Sequence, residues 1–124
     1  MLSEISSRIN NGYLKNITPI LGTETNINLA ENSVDKILLV DVYHEFKYPY
    51  EMMKSIKKVL RPNGKIFIVE YRGEDPRVPI KKIHKMTEKQ VVKEMKAVGL
   101  KLKVNRENLP WQHCLIFEID KNFK

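Results

Sequence analysis

The stretch VDKILLVDV, residues 34–42, runs apolar without alternation through its middle, and that most narrows what this chain can fold into. A strand with one wet face alternates with period two. A strand covered on both faces instead reads as a continuous apolar run. The run therefore predicts a strand buried between helices, and KIFIVEY at residues 65–71 predicts a second. Between them, PYEMMKSIKKVL sets Met52, Met53, Ile56, Val59 and Leu60 on one stripe with lysines opposite, the pattern of an amphipathic helix. RPNG ends that helix, because Pro62 cannot continue it and Asn63-Gly64 predicts a turn. Strand, helix, strand in this order predicts a layered α/β sheet. Ligands of such sheets bind outside the carboxyl ends of the parallel strands.

The flanking segments extend that plan. SEISSRINNG predicts a short helix with Ser3 as cap, Ile5 and Ile9 on one face, and Gly12 at its end. NITPIL predicts a short strand, placed at an edge or a strand end because Pro19 lacks an N–H. GTETNINLAENS has loop composition. Residues 72–86 form a long loop holding two prolines and a glycine. TEKQVVKEMKAVG opens with Thr87 and Gln90 at capping-box spacing and closes at Gly99. LKLKVNR and HCLIFEI then predict a terminal antiparallel strand pair, with Trp111 in the link as a core plug. No repeat or linker divides the chain, so residues 1–124 read as a single domain.

Composition removes several function classes. The net charge of +7 comes from 22 Lys and Arg against 15 Asp and Glu, but the lysines are spread along the chain and read as a solvated surface. No arginine-rich tract or base-stacking signature accompanies them, which disfavours nucleic acid as a partner. No apolar run approaches the ~20 residues of a membrane-spanning helix, so no membrane association is expected. Cys114 is the only cysteine, which excludes an intrachain disulfide and points to a reducing, cytoplasmic setting. His44, His84 and His113 share no metal-ligand spacing, and no metal is expected.

What stands out is where the polar groups fall. VDVYHEF, residues 40–46, ends the first buried run with Asp41, Tyr43, His44 and Glu45. Glu70, Tyr71 and Arg72 end the second, and Glu24 and Thr25 follow NITPIL. Polar tips on one rim suit a site, although strand ends are also polar simply because they meet water. His44 is the natural general base, since imidazole titrates near neutral pH, unless it packs beneath the following helix. In the long loop His84 and Lys85, with neighbouring Arg77, Lys81 and Lys82, offer a substrate-side surface for an anionic acceptor or else a solvated one.

The segment NLAENSVDKILLVDVYHEFKYPYEMMKSIKKVLRPNGKIFIVEY resembles the fourth-strand to fifth-strand region of class I S-adenosylmethionine-dependent methyltransferases. A polar loop, a Ser-x-Asp before the buried strand, a short exit, a helix and L-R-P-N-G-K follow in the order of that family, whose members typically read LKPGG at the turn. PIKKIHKM and TEKQVVKEMKAVGLKLK are similar to its substrate-side loop, helix and sixth strand. The resemblance runs from about residue 2 to 119. It implies a Rossmann-like sheet in three layers with a terminal antiparallel pair, and S-adenosylmethionine as cofactor. It also implies that Glu24 and Thr25 lie beside the adenine, and that Asp41 and Val42 lie beside the sulfonium. Tyr43 and His44 then face the reaction, with Glu70, Tyr71, Arg72, His84 and Lys85 toward an unidentified, small methyl acceptor.

The family's glycine-rich turn after the first strand and acidic end of the second strand have no counterpart here, since none of the five glycines forms a G-x-G. The resemblance thus implies that the chain corresponds to the C-terminal part of such a domain, as a truncated methyltransferase would. In the family the first strand lies beside the fourth. Without it KILLV is expected to present an apolar edge, closed by NITPIL or by a second copy in a homodimer. Two functions are consistent with this: a methyltransferase or its C-terminal part, and a non-catalytic remnant acting as an interaction or dimerisation module.

Overall fold

The computed structural model describes residues 2–12 and 15–124. Helix α1 spans Leu2–Asn10, and strand β1 spans Val34–Val40. Helix α2 is Pro49–Val59 and runs directly into strand β2, Leu60–Arg72. A two-residue strand β3, Lys85–Met86, precedes helix α3, Glu88–Ala97. Strands β4, Leu100–Asn105, and β5, Gln112–Ile119, close the chain. The sheet order is β1-β2-β5-β4, with β3 beside β2. β1 and β3 run parallel to β2, whereas β5 is antiparallel to both β2 and β4. The sheet is therefore mixed α/β with the expected terminal antiparallel pair. No described helix is long and apolar enough to cross a membrane.

Local chemistry accounts for the helices. Pro49 occupies the first turn of α2, where a missing N–H costs nothing. Met52, Met53, Ile56 and Val59 point inward, and Lys57 and Lys58 sit in the last turn, where cations complement the helix dipole. The helix stops because Leu60 and Arg61 turn extended ahead of Pro62. Thr87 caps α3 by accepting the Gln90 backbone N–H at 3.1 Å, and Gly99, at φ +87°, ends it.

One core lies on the face of the sheet that α2 and α3 cover. It joins Met53 and Ile56 to Val91 and Met95, and to Ile66, Ile68, Leu100, Leu115 and Phe117 of the strands. Burying each of these side chains contributes about 1.5–3 kcal/mol.

Several expectations need correction. NITPIL forms no strand; Ile17, Ile20 and Leu21 are exposed, and Pro19 leaves the segment a donor short. It does not pair with β1, which stands at the sheet edge with β2 as its only neighbour among the described residues. β1 is not covered on both faces either. Ile37 and Leu39 face the core, whereas Leu38 is 65% and Val40 50% exposed. Nothing among the described residues buries these two side chains, and α1 has no buried residue. Asn63-Gly64 is part of extended β2, in a register irregularity opposite Val34–Lys36, rather than a free turn. Ser3 lies inside α1. Trp111 is 44% exposed and plugs nothing.

Candidate functional site

Parallel pairing of β1 and β2, with Val40 opposite Val69, brings their exits to one rim. The Asp41 N–H still bonds the Val69 carbonyl at 2.8 Å, and then φ +53° at Asp41 swings the chain off the sheet. A left-handed backbone at a non-glycine residue is uncommon and costs energy that its surroundings must offset. Here Gln112 of β5 donates from Nε2 to both Asp41 carboxylate oxygens, at 2.9 and 2.7 Å. Val42 is half-buried, and its carbonyl accepts the Glu45 N–H at 2.9 Å, closing a single 3-10 turn over Tyr43–Glu45.

That turn aims His44 back at β2. His44 Nδ1 lies 2.7 Å from Glu70 Oε2, and the His44 backbone N–H donates to Glu70 Oε1 at 3.1 Å. Glu70 is fully buried on the core face of β2, and the His44 side chain is 8% exposed. Burial pushes the Glu70 carboxyl up; the His44 bonds and charge oppose that, and the Asp41 charge adds to it. An ionised Glu70 requires hydrogen on Nδ1, which leaves the Nε2 lone pair of His44 as the free one. Nε2 lies 3.7 Å from Oε1 of the exposed Glu45.

The other sequence candidates divide. His84 joins the group: its ring meets that of His44 edge-to-face, with centroids 5.4 Å apart. Glu70 is on the rim, but it stands behind His44 and grips it instead of facing a substrate. Tyr43 is buried against Phe46, and its hydroxyl donates to Glu94 Oε1 at 2.6 Å. Burial, that bond and the nearby carboxylates all push its pKa upward.

The Arg72 guanidinium binds Glu107 and the carbonyls of Pro110 and Leu109 at 2.8, 2.9 and 2.6 Å, which ties it to the β4–β5 link. Lys85 reaches the Asp75 carbonyl at 3.3 Å. Tyr71 lies on the opposite face of β2 from Glu70, beside Gln112. Glu24 and Thr25 sit in an exposed turn whose neighbours Asn26 and Ile27 bond Ser55 of α2. No hydrogen bond among the described residues joins that turn to the β1 exit.

Sequence reasoning missed a second polar group beside this one. Glu70 pairs across the strands with His113, which is buried. His113 Nε2 lies 2.9 Å from Glu74 Oε1 and its Nδ1 3.1 Å from Glu107 Oε1. The period-two pattern of HCLIFEI does put His113 on the inner face, but only the long loop and the hairpin link supply its partners. Gln112 likewise finds Asp41 only through the sheet order.

A family model described as the methyltransferase domain matches residues 1–68. No curated protein matches the chain. Among solved structures, a SAM dependent methyltransferase from Aquifex aeolicus is similar at 20% identity with a TM-score of 0.85, over 95% of this chain and 63% of that one. A putative type 11 methyltransferase from Sulfolobus solfataricus follows at 17% identity and TM-score 0.78, over 99% of this chain and 67% of that one. Trans-methyltransferase CalH, solved in complex with SAH, is 13% identical with a TM-score of 0.72, over 95% of this chain and 40% of that one. The chain thus spans about two thirds or less of the length of these proteins.

Proposed function

Because the chain belongs to the methyltransferase domain family, we propose that it supplies the acceptor side of an S-adenosylmethionine-dependent methyl transfer, with His44 as general base. The observation that carries this reading is the buried His44–Glu70 pair at the shared exit of two parallel strands. The residues present fit one flank of the cofactor. Asp41 and Val42 turn away from the sheet where the crevice of an α/β sheet opens. The methionine end has no glycine-rich turn in this chain.

When bound, the cofactor supplies an electrophilic methyl group. His44 Nε2 accepts the proton of an acceptor O–H or N–H as the acceptor lone pair becomes nucleophilic. Glu70 keeps the ring oriented and stabilises the imidazolium that results. Asp41, held by Gln112, fixes the backbone from which His44 is presented. CalH, with its bound SAH, lends the cofactor assignment its support.

Calorimetric titration of the full chain with S-adenosylhomocysteine tests this. Micromolar binding that Asp41→Ala abolishes is expected, as is a loss of about 100-fold in methyl transfer on His44→Ala. No heat at millimolar ligand would sink it.

The exposure of Leu38 and Val40 on edge strand β1 favours a second reading, an interaction module that pairs with another chain, in the first instance a second copy. Sedimentation of the protein and of the Leu38→Lys, Val40→Lys double variant decides it. A dimer that the lysines dissolve supports the module; a monomer in both cases removes it.

A further inference from the structure

We propose that His44, Glu45 and His84 form a binding site for one divalent first-row transition-metal ion of the zinc class. One ligand atom of each lies within 4.8 Å of the others. These residues look unrelated in sequence, where His84 follows 40 positions after His44. The fold unites them. The Glu70 carboxylate holds His44 at the exit of β2, and β3 pairs Lys85 with Tyr71, which delivers His84 to the same exit.

The distances are near those a metal needs. In a tetrahedral shell with bonds of about 2.0–2.1 Å, ligand atoms stand roughly 3.3 Å apart. His44 Nε2 and Glu45 Oε1 are already 3.7 Å apart. His84 and Glu45 are exposed and sit on short 3-10 turns, so rotamer changes close the remaining gap.

An independent observation points the same way. Metal-bound imidazoles almost always give their second ring N–H to a carboxylate or carbonyl, which fixes the tautomer and raises ligand basicity. His44 has that arrangement, with Nδ1 at 2.7 Å from a carboxylate of no solvent exposure. Its Nε2 lies 3.7 Å from Glu45 Oε1, and its ring meets that of His84 with centroids 5.4 Å apart. Two imidazoles and one carboxylate suit zinc, cobalt, nickel or iron rather than magnesium or calcium. Three protein ligands leave one position open.

The site stands on geometry alone and does not rest on methyl transfer. A metal on Nε2 takes the lone pair that the proposed base uses, so the metal-bound state is one in which that proton transfer is blocked. S-adenosylhomocysteine binding needs no base, so the two titrations read separate claims.

The full chain, titrated with Co²⁺ at neutral pH and then with Zn²⁺, is read by visible absorption and by heat. One equivalent of Co²⁺ bound in the micromolar range, with a tetrahedral spectrum that Zn²⁺ erases, is expected. His84→Ala and Glu45→Gln, both at exposed positions, should each weaken binding about tenfold or more, and Glu70→Gln about 10–100-fold. Circular dichroism checks that the variants remain folded. Absence of binding at millimolar metal overturns the site. So does binding that His84→Ala leaves intact, or binding lost instead in Cys114→Ser or His113→Gln.

Discussion

Glu70 holds His44 twice, through the ring at 2.7 Å and through the backbone N–H at 3.1 Å, using both oxygens of one fully buried carboxylate. The pair joins the exits of β1 and β2, and it sets both the direction and the protonated nitrogen of the imidazole. A carboxylate that buried is tolerated only because these partners satisfy it.

Removing it should therefore cost stability before it costs anything else. Glu70→Ala leaves the His44 backbone N–H and Nδ1 without an acceptor, and is expected to destabilise the fold by about 2–4 kcal/mol. Glu70→Gln keeps the shape and one acceptor, and should cost about 1 kcal/mol. Urea denaturation separates the two; equal midpoints would contradict the double grip.

Tyr43 offers the converse experiment. Tyr43→Phe removes only the hydroxyl that Glu94 accepts, and is expected to cost about 1 kcal/mol while leaving ligand binding unchanged. A tenfold or greater fall in methyl transfer with stability intact would return the phenol to the chemistry.

Gly64 is needed for space rather than for backbone freedom. A Cβ there would collide with Leu60 Cδ1 and stand 2.8 Å from the Asp35 carbonyl oxygen. Leu60 is buried, so its side chain does not yield freely, and the Asp35 carbonyl lies at the register irregularity between Val34 and Lys36. Gly64→Ala should destabilise by about 1–3 kcal/mol. A thermal midpoint equal to that of the parent protein would show that the bulge can relax.

Acid should loosen the His113 group. Burial pushes Glu74 up, but the Glu88 N–H and His113 outweigh it, and the net shift is downward. Glu107 behaves likewise, with His113 and Arg72 outweighing burial. Carboxyls held below their unfolded value of about 4.3 stabilise the fold above that pH. That stabilisation is lost as pH falls through the depressed folded values. Glu70, raised by burial, has the opposite sign: its ionisation costs stability as pH climbs above about 4.3. The Glu74→Gln, Glu107→Gln double variant should lose less stability than the parent on acidification below about pH 4.3. Parallel profiles of urea midpoint against pH would rule this group out as the source.

The sequence alone determined the elements whose signals are local. The apolar stripe Met52–Met53–Ile56–Val59, the Thr87 cap, the Gly99 stop and the alternation of β4 and β5 each act within a few residues, and each was legible. The parallel strand exits at Asp41 and Glu70 followed from strand-helix-strand order. NITPIL was misread because β propensity makes a strand only where a neighbour supplies hydrogen bonds, and no described strand lies beside it. Leu38 and Val40 were misread because an apolar run reports what a strand can bury, not what is there to cover it.

Only the tertiary structure decided which polar groups meet. Glu70 faces His44, Gln112 reaches Asp41, Arg72 is drawn into the hairpin link, and His84 arrives beside Glu45 from the far end of a long loop. Such contacts join residues tens of positions apart, and they are set by strand order and register. Charge and spacing along the chain carry no record of that register, so the site took shape only once the strands were paired.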